Sequence, residues 1–270
     1  MASRSPAGEP RRVLRAPDVI GAARGELDRV GRGALLAAAI VATLPKPRKY
    51  MHASLAQAYH MGIRSLPLVL FMAAVGGALA SQQTGAQFTG GLPVWVTGSV
   101  VAAGVLTELG PVLTALVLIG RVGASIAAEL GTMKVTEQID ALYSIGRDPI
   151  TFLVVPRVVG GMMVVPPLVI VANAMGMLAG LIVGMIAIDG LTATEFIFGA
   201  RFYFRPWVLF FSVIKGAIFG ITITFLACFM GLEGRGGAEG VGRTTTSAVV
   251  ATTVAIMVLD VLLVPLLKVA

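Results

Sequence analysis

The chain has few charged residues and many apolar ones. Only 13% of its 270 residues are Asp, Glu, Lys or Arg, about half the share that is usual in a soluble domain. The mean hydropathy is +0.88. So few polar groups cannot cover a water-facing surface, which excludes a soluble protein. We therefore predict a single membrane-embedded domain, because no hydrophilic block is large enough to fold as a second one.

Cysteine and histidine are also scarce. Cys228 is the single cysteine, so no disulfide can form within the chain, and it gives no information on the compartment. His52 and His60 are the two histidines, and neither has a second ligand at metal-binding spacing. The sequence therefore predicts no metal site.

The usual signatures of catalysis are missing too. There is no zinc motif, nucleophile elbow or constellation of paired carboxylates. The segment GAEGVGRT, residues 237–244, differs from a phosphate-binding loop by Arg243 in place of the lysine. Such a loop needs a strand before it, whereas here an apolar helix precedes it. We predict a flexible, glycine-rich cytoplasmic turn and no cofactor bound by this chain.

The formal charge of +7 is concentrated near the N-terminus. Eleven of the 21 Lys and Arg residues precede Leu66, and no aromatic residues alternate with them as in a nucleic-acid interface. Anionic lipid is the expected partner of these cations, and nucleic acid is not.

The N-terminal region divides at Asp18. Residues 1–17 are basic and lack the apolar core of a signal peptide, so we expect a disordered cytoplasmic leader. Asp18 can cap a helix that runs to Leu44 and lies in the membrane interface, although a plain solvated helix would give a similar pattern. Residues 18–62 are expected to form interfacial and elbow helices before the permease domain at 63–270.

Five apolar segments predict an all-α membrane protein with five transmembrane helices. Spanning a bilayer takes about 20 helical residues, so the first segment is short and the third is long. Basic residues favour the side that contains the N-terminus and the loop between spans 2 and 3, which places the N-terminus in the cytoplasm and the C-terminus outside. The segments are residues 63–80, 94–120, 158–188, 207–230 and 248–267.

The loop between spans 2 and 3 has a helical pattern of its own. Residues 135–145 place Ile139, Leu142 and Tyr143 on one face and Glu137, Asp140 and Ser144 on another. Gly146 and the proline after it then end the helix. We predict a short cytoplasmic helix whose apolar side chains enter a groove on a partner protein, against the alternative of an ordinary solvated loop.

Glu108, Lys215 and Asp260 lie inside predicted spans, away from the span ends. Glu108 lies about 21 Å into span 2, near the middle of the membrane, and Pro111 follows it. We expect a polar point on a substrate path there, or a structural hydrogen bond. Lys215 and Asp260 lie at similar depths in spans 4 and 5, so they are predicted to form a structural ion pair, with Glu108 as the weaker candidate partner.

The central stretch ELGPVLTALVLIGRVGASIAAELGTMKVTEQIDAL, followed by G-x-D-P at residues 146–149 and V-P-R at 155–157, resembles the signature of the MlaE/YrbE permease family. The segments LPKPRKY and GRTTTSAVV, together with Gln83 and the Leu259–Asp260 pair, extend the resemblance over nearly the whole chain. Members are membrane subunits of MCE-associated ABC lipid transporters.

The resemblance implies a homodimer in the bacterial inner membrane, with an ATPase on the cytoplasmic helix and a periplasmic MCE-domain protein on the outer side. ATP and Mg would be bound by the ATPase. The implied cargo is phospholipid or another hydrophobic lipid. Glu129 joins the coupling residues, and Gln83 joins Glu108 and Pro111 on the substrate path. A stand-alone secondary carrier or channel remains the alternative, although five spans do not divide into two equal repeats.

Overall fold

The computed structural model describes residues 19–87, 93–234 and 236–267. The predicted leader at 1–17 and the Asp18 cap lie outside the described residues. Within the described ranges the regular structure is helical, without strands, and five helices are long and apolar enough to cross a membrane. The predicted all-α membrane fold is confirmed.

Eight α-helices follow one another along the described chain. The membrane-crossing candidates are α2, α3, α5, α7 and α8. The bounds are α1 Val19–Thr43, α2 Met51–Gln87, α3 Val96–Val135, α4 Gln138–Ser144, α5 Ile150–Ala187, α6 Ala193–Tyr203, α7 Pro206–Leu232 and α8 Gly237–Leu267.

Several helices are longer than the sequence suggested. The predicted domain boundary at residue 63 falls within α2, which runs unbroken from Met51. Span 2 continues beyond residue 120 to Val135. The glycine-rich turn predicted at 237–244 is wrong: Gly236 and Gly237 have φ of 90° and 69°, which makes the turn, and the rest is the start of α8. Hydropathy marks the part of a helix that suits hydrocarbon, whereas the helix itself extends into the polar region.

The centre of the bundle is formed by α3 and α7. In the most apolar 18-residue stretch of each, 50% of the residues are buried, against 22% for α2 and α8. The buried core between them includes Leu118, Phe219 and Ile223. Lys215 on α7 therefore lies inside the protein, where it must find partners.

Small residues allow α2 and α5 to pack closely. A Cβ atom on Gly77 would lie within 2 Å of the Gly176 carbonyl oxygen, and one on Gly180 would lie 3.1 Å from the Gly77 oxygen. The helices touch through their backbones there, as small-residue stripes permit. The glycine stripe of α5 therefore packs within the chain.

The two ends of the bundle carry different short helices. At one end, called here the α4 end, α1 buries Leu36 and Ile40 in the core, and Arg32 pairs with Glu233 at 2.6 Å. At the opposite, α6 end, a capping box of Thr192 and Glu195 starts α6. That amphipathic helix was not foreseen from the sequence.

Candidate functional site

A charged cluster lies in the interior of the bundle, centred on Lys215. The ammonium nitrogen lies 2.5 Å from Asp260 Oδ1 and 2.7 Å from Glu108 Oε2. The Asp260 contact is an ion pair without hydrogen-bond geometry, while the Glu108 contact is a hydrogen bond. Lys215 itself is fully buried. The structure therefore brings the predicted partners Lys215 and Asp260 together.

Glu108 is also a member of this cluster, although the sequence ranked it by depth as the weaker candidate partner. Its depth was counted along a straight α-helix, whereas α3 contains a π-helical turn at Val105–Leu109 that changes the register around Glu108. The cluster holds one cation and two carboxylates. The side chain of Glu108 is 40% exposed and that of Asp260 17%, so Glu108 faces out of the chain. An outward carboxylate at mid-depth must meet a cavity or another protein surface.

Pro111 leaves a backbone carbonyl free to be the third partner of Lys215. As a proline it has no N–H to donate to the Thr107 carbonyl four residues earlier. Lys215 Nζ donates a hydrogen bond to that carbonyl at 2.9 Å. The rings of Phe211 and Phe219 each lie 5.9 Å from the same nitrogen, within the range of a cation–π contact.

A second polar pair, not foreseen from the sequence, lies beside the cluster. Asn173 on α5 donates a hydrogen bond to Ser212 on α7 at 3.0 Å, and both residues are buried. A Cβ on Gly110 would clash with the Asn173 amide oxygen, so a larger residue on α3 would force Asn173 to move. The one available signal was an isolated asparagine within the apolar run VIVANAMGM.

Gln83 is not part of this site. It lies exposed near the α6 end of α2, and no hydrogen bond or ion pair joins it to the cluster within the described residues. Arg243 was predicted to lie in a cytoplasmic loop. In the structure it lies on α8. There it lines a cleft of about 240 Å³ together with Arg29, Glu233 and Thr244.

The loop between α3 and α5 contains α4, which is shorter than the predicted helix at 135–145. The helix begins at Gln138, because Glu137 adopts a left-handed conformation with φ 59° and ψ 13°. Non-glycine residues in this conformation are uncommon and concentrate at functional sites. Glu137 therefore precedes the helix and does not share a face with Asp140.

The apolar residues of α4 divide differently from the prediction. Ile139 is 4% exposed, so the expectation that it enters a partner's groove is wrong. Leu142 is half-buried. Tyr143 and Ile145 are instead 58% and 68% exposed. Helical periodicity showed which residues share a face, but not which face the protein itself covers.

Polar contacts fix the ends of this loop. Lys134 lies 3.2 Å from Asp140 across the α3–α4 turn. Asp148 accepts hydrogen bonds from the backbone of Ile150 and Thr151 at 3.2 and 3.1 Å and so caps the start of α5. The loop is therefore an ordered, exposed structure.

An ion pair joins the two helices at the base of the loop. Glu129 Oε1 on α3 lies 2.9 Å from Arg157 on α5, whose side chain is 5% exposed. Arg157 also donates to the Leu153 carbonyl at 2.7 Å. Glu129, grouped with the coupling residues, thus contacts the chain itself.

The described side chains above form no recognisable catalytic arrangement. In the part of the chain that the structure describes, no three His, Cys, Asp or Glu residues are close enough to hold a metal ion. The arrangement consists of an exposed loop, a long helix and an interior charged cluster. These features are typical of a protein that binds a partner and changes conformation.

Comparisons with known proteins agree with this architecture. The family model described as "Permease MlaE" matches residues 54–266. A "Probable ABC transporter permease protein" of Rickettsia felis is 37% identical over 229 residues, which cover 85% of this chain and 88% of the relative. One of the same description from Synechocystis is 37% identical over 76% of this chain and 78% of its own length.

A plant relative is similar over most of this chain as well. The chloroplastic protein TRIGALACTOSYLDIACYLGLYCEROL 1 of Arabidopsis thaliana is 35% identical over 227 residues, 84% of this chain and 64% of that protein. The match of the family model over more than half of the sequence, the five spans and the ordered loop between spans 2 and 3 lead to one conclusion. The chain belongs to the MlaE permease family.

Proposed function

We propose that this chain is the permease subunit of an ABC transporter that moves phospholipid or a related hydrophobic lipid between the inner membrane and the outer envelope. A separate ATPase docks on the α4 loop and binds the ATP and Mg. Two copies of the permease form a homodimer, with a periplasmic MCE-domain protein at the α6 end. The family and the names of the relatives support the ABC-permease part of this proposal.

One observation carries the coupling mechanism: a single helix joins the loop to the charged cluster. In α3, 27 residues separate Val135 at the loop from Glu108 in the cluster, about 40 Å of helix. A displacement of α4 by the ATPase would be transmitted along α3 as a rigid-body or shear movement. The π-helical turns at Val105–Leu109 and Ile119–Gly123 are the points where the hydrogen bonding of α3 departs from the regular α-helical pattern.

The exposed part of the loop supplies the chemistry of a docking surface. Tyr143 and Ile145 project apolar area from it. Carboxylates at Glu137 and Asp140 surround this area. An apolar centre with charged residues at its rim is the composition of a protein interface, in which the charges set specificity and rate.

The lipid path is proposed to pass Glu108. Its exposed carboxylate faces away from its own chain at a depth where contact with acyl chains would be costly. A cavity between two copies of the permease would satisfy this requirement. The positive-inside rule places the α4 end in the cytoplasm and the C-terminus in the periplasm.

The test is purification of the tagged permease from cells that express its native operon. We expect an ATPase subunit to co-purify and the complex to hydrolyse ATP in nanodiscs. In vesicles, ATP should drive transfer of a fluorescent phospholipid, and a permease lacking residues 137–145 should be pulled down alone. Recovery of the intact permease without ATPase protein or activity would refute the proposal in favour of a stand-alone carrier.

A further inference from the structure

A polar cavity of about 350 Å³ lies between α2 and α3, away from the charged cluster and toward the α4 end. This volume is within the range of small-molecule sites. Its wall combines cations, hydroxyl and amide groups with three apolar side chains. The lining residues are Gln57, His60, Met61, Arg64, Ser65, Arg121, Val122, Ser125, Ile126 and Glu129.

Two arginines give the cavity its positive charge. Arg64 and Arg121 are exposed, and neither forms an ion pair with another of the described residues. Arg64 directly precedes the most apolar part of α2, and Arg121 directly follows the apolar first part of α3. Both therefore lie at the boundary between hydrocarbon and headgroups on the α4 side.

Negative charge within the cavity is already neutralised. Of the described lining residues, only Glu129 carries a carboxylate, and its oxygen lies 2.9 Å from Arg157. Gln57 and His60 add polar groups without a fixed negative charge. The site has an excess of cation, which selects an anionic ligand.

Ser65 adds a hydrogen-bonding group without a partner. The residue is fully buried, and its hydroxyl has no hydrogen-bond partner among the described residues. A helical serine normally donates to the carbonyl four residues earlier. Buried polar groups are seldom left unsatisfied, so an unpaired hydroxyl in the wall of a cationic cavity indicates a ligand acceptor.

We propose that this cavity binds the phosphate group of one glycerophospholipid from the leaflet on the α4 side. Arg64 and Arg121 neutralise the phosphate, and Ser65 donates a hydrogen bond to it. The apolar side chains in the wall contact the glycerol backbone and the first acyl carbons. A free phosphate ion has the same charge chemistry, but it would leave these apolar side chains uncovered. The site binds lipid whether or not the chain transports it.

The test measures binding to the full-length, delipidated chain in detergent by calorimetry. Three probes separate the sources of the interaction: dihexanoyl phosphatidylglycerol, dihexanoylglycerol without phosphate, and inorganic phosphate. We expect the phosphatidylglycerol to bind at least ~10-fold more tightly than inorganic phosphate, and the uncharged diacylglycerol to show no saturable binding. Arg64→Gln and Arg121→Gln should each weaken binding ~10-fold, as loss of a hydrogen bond to a charged group does.

Matched variants distinguish lipid binding in this cavity from a general effect of charge on binding. Arg201→Gln removes an exposed cation at the α6 end and should bind like the wild type. Ser65→Ala should bind several-fold more weakly. Arg121 lies in a π-helical turn at Ile119–Gly123 and its replacement could disturb folding, so Arg64→Lys and Arg64→Glu form a second pair. The first should retain binding and the second should abolish it.

Three results would overturn the proposal. Equal binding of diacylglycerol and phosphatidylglycerol would show that phosphate is not recognised. Equal binding of inorganic phosphate would assign the cavity to a soluble anion. Unchanged binding by Arg64→Glu would place the lipid elsewhere. None of these results depends on an ATPase, so failure here is distinguishable from failure of the transport proposal.

Discussion

Arg157 and Glu129 form an ion pair of 2.9 Å that joins the two helices on either side of the α4 loop. The Arg157 side chain is buried, whereas the Glu129 side chain is about half exposed. The carboxylate can therefore be changed without altering the packing around the cation. This contact links α3 and α5 at the base of the loop. We therefore expect the position of α4 to depend on a pair of charges outside α4.

Replacing Glu129 tests this role. Glu129→Gln should lower the free energy of unfolding by about 1 to 2 kcal/mol, because a buried guanidinium loses its counter-charge while solvent compensates part of the loss. Transport per ATP hydrolysed should fall more than ATPase binding does. Thermal melts and a coupled transport assay measure the two effects. Glu239→Gln, an exposed carboxylate on α8, is the control and should change neither.

The Lys215 cluster predicts an asymmetric mutant cycle. Lys215→Met leaves two carboxylates without a cation and should destabilise the protein by about 3 to 5 kcal/mol, as expected for breaking a buried pair. Asp260→Leu should cost less, because Glu108 still neutralises Lys215 at 2.7 Å. Combining Lys215→Met with Asp260→Leu should recover part of the loss. Additive effects in detergent melts would show that the two residues do not interact.

Glu108→Gln should separate transport from folding. Asp260 still pairs with Lys215 in this variant, so expression, melting temperature and ATPase assembly should remain close to the wild type. Lipid transfer should fall about 10-fold or more if the carboxylate contacts the lipid path, since one lost charged hydrogen bond is worth roughly 1.5 to 3 kcal/mol. Full transfer activity would refute a role for Glu108 on the path.

The exposure of the α4 loop residues predicts two classes of variant. Tyr143→Ala with Ile145→Ser should leave the melting temperature unchanged and weaken ATPase binding, because these side chains are exposed. Ile139→Ala should instead destabilise the fold by about 2 kcal/mol or more, as loss of a buried isoleucine does. A pull-down and a melting curve for each variant distinguish the classes.

Charge reversal by Glu137→Lys with Asp140→Lys should also weaken docking while preserving the fold.

Glu137 permits a test of its left-handed backbone. Glu137→Gly removes the carboxylate and should be neutral or stabilising by up to about 1 kcal/mol, since glycine adopts φ 59° without steric cost. Glu137→Val should be destabilising, because β-branched residues avoid this conformation. If the glycine variant docks the ATPase as well as the wild type does, the conformation matters at this position and the carboxylate does not.

The elements readable from the sequence were those defined by strong local patterns. Apolar runs located all five spans, and the cost of isolated charges in hydrocarbon brought Lys215 and Asp260 together. Gly146 was correctly placed as the stop after α4, where it has φ 73°. These inferences depend on residues close in sequence or on a single strong energetic penalty.

The inferences that failed required knowledge of tertiary packing. Ile139 is buried by tertiary packing, which helical periodicity does not specify. Glu108 lies in a π-helical turn, which no simple spacing rule predicts. Helix α6 did have a local signal, the Thr192–Glu195 capping box, but its short length and outward aromatic residues give no hydropathy peak.

Lys215 contacts the backbone of Thr107 and not its side chain. A substitution at position 107 therefore leaves this hydrogen bond possible. The residue that keeps the carbonyl free for Lys215 is Pro111, four residues later, because it has no N–H. Replacing Pro111 by alanine would supply an N–H that competes with the ammonium group for the same oxygen. Genetic suppressors of weakened Lys215 contacts are accordingly expected around the proline, and Thr107→Val, which keeps the size of this buried side chain, should preserve the contact.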